Sequence, residues 1–168
     1  MNTQLLSITI VSLVALLSFT SCSADEGGDG QDAPDTLFQG EYDETEMDAA
    51  MANARKALNH FRTALDSGTG ENHAIKVAIH DGDKTEHFWL VDVSATDEGF
   101  KGILNNEPGI VSNVSFGDEV KATGTNISDW MYLLDEKMHG NYTIRVMLPN
   151  MPEDEAAFYK AKLAPLPK

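Results

Sequence analysis

The sequence predicts an α+β domain: a long N-terminal helix packed on a strongly bent, barrel-like antiparallel sheet of five or six strands, with a short C-terminal helix behind it. Three observations predict it. Apolar residues recur at three- and four-residue steps between Met47 and Leu65, the period of a helix with one buried stripe. From Ile75 onward the period falls to two, as in strands with one face inward. Turn chemistry at Asp81-Gly82-Asp83-Lys84, Thr96-Asp97-Glu98-Gly99 and Phe116-Gly117-Asp118 separates the alternating runs closely enough that neighbours pair antiparallel.

The chain opens with residues 5–19, apolar and uncharged. A helix needs roughly 20 such residues to span a bilayer, so this shorter run reads as the core of a signal peptide over residues 1–21. Phe19-Thr20-Ser21-Cys22 follows at once and resembles the lipobox of bacterial lipoproteins. The resemblance implies cleavage before Cys22 and lipid on its thiol and new amino group. An ordinary secretory signal cut nearby is the competing reading. Ser23 stands where an aspartate would favour inner-membrane retention, which points to the outer membrane facing the periplasm. Cys22 is the only cysteine, so no intramolecular disulfide can form.

Residues 22–43 are rich in Gly and Asp and too poor in apolar side chains to offset the entropy of ordering, so they read as a flexible acidic tether. Residues 25–48 hold ten of the 27 acidic residues and no Lys or Arg, so residues 49–168 carry only −5 of the net −15. Neither part offers the basic patch that phosphate contacts require, which excludes nucleic acid as the expected partner. The acidic run lacks the spacing of an EF-hand.

The folded domain is expected over residues 44–168. Thr45 with Asp48 reads as a capping box, and Met47, Met51, Ala54, Leu58, Phe61 and Leu65 form the helix's apolar stripe, with Arg55, Lys56, Asn59 and Arg62 on other faces. Ser67-Gly68 stops it. In the first hairpin, residues whose numbers sum to 165 face one another. That register puts Ile75, Val77, Ile79, Phe88 and Leu90 on a core face and Lys76, Ala78, His80, His87, Trp89 and Val91 on an amphipathic one. Strands follow at Phe100–Leu104 and Glu119–Thr123. A last hairpin is expected from Asp129–Leu134 and Tyr142–Leu148, joined by a turn over residues 135–141. Asn150 is expected to cap the final helix, with Lys160 and Lys162 at its far end.

Four segments carry a resemblance: Glu86-His87-Phe88-Trp89, Gly102-Ile103-Leu104-Asn105-Asn106-Glu107-Pro108, Ile127-Ser128-Asp129-Trp130-Met131-Tyr132 and Gly140-Asn141-Tyr142-Thr143-Ile144-Arg145-Val146. Together, over about residues 46–166, they resemble the YegJ-like family, a bacterial domain of unknown function numbered twenty-three fourteen. The resemblance implies one small α+β domain, common in exported proteins, and brings no activity with it.

The chemistry on offer is sparse. His73, His80 and His87 are residue types that bind zinc, but the register turns Glu86 away from the histidines, and half-buried structural histidines are the simpler reading. Glu107 and Asp129 are the best acid/base pair, as an envelope hydrolase would need. The structural reading has Glu107 accepting backbone N–H groups before Pro108 and Asp129 pairing with Arg145. No Gly-x-Ser-x-Gly or P-loop is present. Trp89, Trp130, Tyr132 and Tyr142 form either core or a stacking surface.

These readings converge on a lipid-anchored envelope protein without cofactor or metal that binds a protein or cell-wall component. The expected contact surface is Trp89, Asn106, Glu107, Asp129 and Trp130.

Overall fold

The computed structural model describes residues 42–167; the expected signal peptide, Cys22 and the tether up to residue 41 lie outside the described residues. Within this region α1 (Glu44–Lys56) and α2 (Leu58–Ser67) precede β1 (Glu71–Asp81), β2 (Lys84–Thr96), β3 (Gly99–Leu104) and β4 (Glu119–Ala122). A 3₁₀ turn then leads to β5 (Ile127–Leu134), β6 (Lys137–Gly140), α3 (Tyr142–Met147), a second 3₁₀ turn and α4 (Glu153–Lys162). The strands form one antiparallel sheet in the order β4-β3-β2-β1-β5-β6. Among the described residues no helix is long and apolar enough to cross a membrane.

The expected α+β architecture is present, with two corrections to the helix. It begins two residues earlier: Asp43, not Thr45, is the cap, its carboxylate accepting the Glu46 N–H at 3.0 Å. It is also divided at Ala57, where the backbone leaves the helical region and α2 sets off anew. The stripe survives the break, with Ala54 and Phe61 fully buried. Arg55 and Arg62 do not point to water as the sequence suggests. Arg55 donates to the Ile127 carbonyl at 3.0 Å, and Arg62 donates to Gly99 O at 2.7 Å while lying over the Phe100 ring. Each guanidinium thus ties a helix to the sheet through a strand carbonyl.

The first hairpin has the predicted register, with Ile75 opposite Leu90 and Val77 opposite Phe88. These four, with Phe61, Leu104, Ile127 and Trp130, fill the core between helices and sheet. Trp130 satisfies its indole N–H on the Ala54 carbonyl at 2.9 Å, which locks α1 to β5.

The sheet curls but does not close into a barrel. Register shifts interrupt β1–β5 and β2–β3, and Asn72 and Asp92 take the left-handed conformation within them. Such bulges bend a strand and sharpen its twist. The two edges end separately. On β6, Leu163 forms a parallel bridge with Met138, and the Ala164 N–H donates to the Met138 carbonyl. On β4, four residues long, the Lys121 carbonyl already accepts from Asn126 Nδ2 at 3.2 Å.

A further correction concerns the last hairpin. It is β5 with the short β6, turned by Asp135-Glu136, both at positive φ, as a two-residue hairpin requires. Tyr142–Leu148, expected as a strand, is instead α3 running into a 3₁₀ turn. Asn150 closes that turn, and the cap position of α4 is Pro152.

Candidate functional site

The segment between β3 and β4, residues 105–118, has almost no regular structure, so its backbone N–H groups need partners from elsewhere. Glu86 supplies them. It follows the Gly82-Asp83 turn on β2 and faces Ile79, a position whose parity directs its side chain to the core side. The residue is 4% exposed. Its carboxylate accepts the N–H of Gly109 at 3.0 Å, of Ile110 at 2.8 Å and of Val111 at 3.1 Å. Burial alone would raise its pKa, but the three donors outweigh that and hold it below the ordinary carboxylate range. Other ties continue the seam. The Trp89 N–H donates to Asn106 Oδ1, Asn105 N–H donates to the Trp89 carbonyl, Ser112 donates twice to Asp81, and Asn113 Nδ2 donates to the His80 carbonyl. The loop is stapled along the first hairpin, with Val111 buried beneath it.

Asp129 solves a different problem. It is 0% exposed and accepts four times: from Trp130 N–H, Tyr142 N–H, Thr143 N–H and Thr143 Oγ1, all within 2.7–3.0 Å. Tyr142 and Thr143 are the first residues of α3, so a carboxylate from β5 caps that helix from outside it. Arg145 does not pair with it as expected; it donates to the carbonyls of Gly140 and Ala164. Burial pushes the Asp129 pKa up, and its donors pull the other way.

On the amphipathic face, Lys76 stands between Trp89 of β2 and Asp129 of β5 in register. Its ammonium is 5.6 Å from the Trp89 ring. Burial lowers its pKa, and the Asp129 charge opposes the fall. His87 Nδ1 lies 2.9 Å from Ser128 Oγ, which also approaches the Lys76 carbonyl. Loss of water around that inward nitrogen, then Lys76 and His80, hold His87 below the ordinary imidazole range, although the ring's outer edge is solvent-exposed.

Residues 44–164 match the family model described as an uncharacterized protein conserved in bacteria, DUF2314. The chain belongs to that family. The uncharacterized protein YegJ of Escherichia coli K12 is 39% identical over 154 residues, 92% of this chain and 97% of that protein. A longer protein of Neisseria meningitidis serogroup B, named for ankyrin repeats, is 37% identical over 81 residues, 48% of this chain and 32% of its own length. No solved structure matches.

Within this DUF2314 domain the five expected contact residues fall into two sets. Trp89, half-buried, and Asn106 are joined by a hydrogen bond, and Glu107 follows, exposed on the same loop. Asp129 and Trp130 are both fully buried, on opposite faces of β5: one caps α3, the other fills the core. Glu107 and Asp129 therefore share no open surface, and Asp129 has its lone pairs occupied by four donors. Among the described residues no group of three His, Cys, Asp or Glu side chains is placed to hold a metal. Tyr132 and Tyr142 are core, Tyr132 lying between His73 and His139 with its hydroxyl 3.0 Å from His60 Nε2.

Sequence reading missed Glu86. The signal was present: a carboxylate at a core-parity position of a hairpin whose neighbours are Ile, Phe and Leu must find donors. The loop also displays two apolar side chains that its anchoring does not need, Ile110 at 47% and Phe116 at 55% exposure.

Proposed function

We propose that this chain is a lipid-anchored protein of the bacterial cell envelope that acts by binding. Its contact surface is the stapled loop, with Trp89, Asn106 and Glu107 joined by Ile110 and Phe116, and its partner is another envelope protein. One observation carries this reading. Glu86 spends a buried charge on three backbone N–H groups to hold a loop whose exposed side chains include Ile110 and Phe116. A pre-ordered loop loses little further entropy on docking. The placement rests on the apolar run of residues 5–19 and on Cys22. It gains support from the similarity to YegJ, which is longer than the family-matched segment and so extends ahead of Glu44. The match to part of a much longer Neisseria protein supports reading the domain as a module.

The hydrolase alternative, with Glu107 and Asp129 as acid and base, has no observation in its favour. Two measurements test the proposal. Labelled palmitate should enter the wild-type chain and not Cys22→Ala, which should move to the soluble fraction. A photo-crosslinker at residue 107 or 116 should give one discrete envelope adduct, lost on Trp89→Ala. An unacylated wild-type chain overturns the anchoring, and absence of any adduct overturns the contact surface.

A further inference from the structure

A groove runs along α1 and α2, lined by none of the residues that anchor the stapled loop. Two cavities lie along α1 and α2, of about 390 and 490 Å³, and His60 lines both. Each is within the range of small-molecule sites. One helical stripe supplies Asn53, Lys56, His60, Thr63 and Ser67 at three- and four-residue steps. At a helical rise of 1.5 Å per residue that stripe is roughly 20 Å long, the shape of a site for an oligomer.

The lining has a definite chemical character. Amides, hydroxyls, one ammonium and one imidazole make up its polar part, and no carboxylate lines either cavity, in a chain with 27 acidic residues. Thr63 and Ser67 already donate their hydroxyl protons to the carbonyls of Asn59 and Thr63, so toward a ligand they accept. Asn59 and Lys56 donate. The His60 ring is exposed and stacks within 5.9 Å of Trp130 at 28°, a flat platform held from below. Each cavity also has a small apolar corner, Ala64 in one and Ala57 with Leu166 in the other.

We infer that this groove is a subsite for an oligosaccharide bearing acetamido groups. A pyranose ring has an apolar C–H face to lie on His60 and a hydroxyl rim to donate to Thr63 and Ser67. The acetamido carbonyl accepts from Asn59 or Lys56, and its methyl occupies the apolar corner. The absence of carboxylates fits a glycan that is neutral or carries acid groups of its own. The inference rests on the envelope placement and gives the cell-wall partner a location separate from the loop.

The test uses the full chain in detergent micelles titrated with hexa-N-acetylchitohexaose, followed by tryptophan fluorescence, since Trp130 adjoins His60. Saturable change is expected. Asn59→Ala and Lys56→Glu, both at exposed positions, should each weaken binding by about tenfold, the loss of one well-placed hydrogen bond to a ligand, with the melting temperature unchanged. Cellohexaose, which lacks the acetamido group, should bind far more weakly. No saturable change, equal binding of both oligosaccharides, or binding indifferent to both substitutions overturns the inference. Palmitate incorporation and the loop adduct, read on the same chain, report the lipid anchor and the protein contact independently, so a failed groove leaves them standing.

Discussion

Single carboxylates carry much of this fold. Removing the charge of Glu86 by Glu86→Gln leaves at least one of the Gly109, Ile110 and Val111 N–H groups without its acceptor; a lost charged hydrogen bond with an orphaned donor costs about 2–4 kcal/mol. Urea denaturation should show that loss, and hydrogen exchange should quicken first across residues 105–118. Asp129→Asn should cost a comparable amount, because an amide can offer only one acceptor oxygen where the carboxylate takes four bonds through two. Glu107→Gln, at an exposed position, should change stability by less than about 0.5 kcal/mol. Loss of stability at Asp129 with none at Glu107 separates a structural carboxylate from an exposed one. At this scale the sequence was partly legible. Asp129 beside Trp130 fits a specified surface site or a buried polar corner; the expected contact surface took the first, and the structure forms the second. Its partners were not legible, because they are backbone groups, and a backbone N–H has no letter in the sequence.

Among elements, the hairpin of β1 and β2 was readable to the residue, because strict alternation and a two-residue turn leave one register that buries Ile75, Val77, Phe88 and Leu90 together. Residues 142–148 misled because Tyr, Ile and Val favour strands, yet a carboxylate from β5 caps them into a helix. The corner before α3 is equally constrained. A Cβ on Gly140, at φ 78, would meet both the backbone and the ring of Trp130, so Gly140→Ala should destabilise by more than about 1 kcal/mol in thermal melts. The end of the sheet near Tyr132 is set against acid. Burial lowers the pKa of His73, against a hydrogen bond at Thr69, and lowers that of His139 with help from His60 and against Asp135. Both folded values lie below the ordinary 6.5, so the unfolded chain binds more protons there. This part of the stability is complete above 6.5 and declines as pH falls beneath it. Glu86, also depressed, acts only below the ordinary carboxylate value of 4.5. The urea midpoint should therefore drop between pH 7.5 and 5.5; a double His73→Phe, His139→Phe variant should reduce that drop and leave the part due to His87, held at about 4 in the folded chain.

For the molecule as a whole, the α+β class and the first five strands were legible from period and turn spacing, while the sixth strand and barrel closure were not. Closure depends on whether two distant edges meet, and local patterns carry no information about that. Here each edge has been given its own end. A tail residue is bridged to β6, and an asparagine amide takes a carbonyl of the brief β4. If the chain is lipid-anchored as proposed, its copies share a plane and meet one another far more often than in dilute solution. A sheet with bare flanks in that setting would be a template for end-to-end stacking of copies. With a carbonyl of β4 and the Met138 position of β6 already taken, each flank offers a shorter run for such pairing, which favours individual copies over fibres when they crowd together.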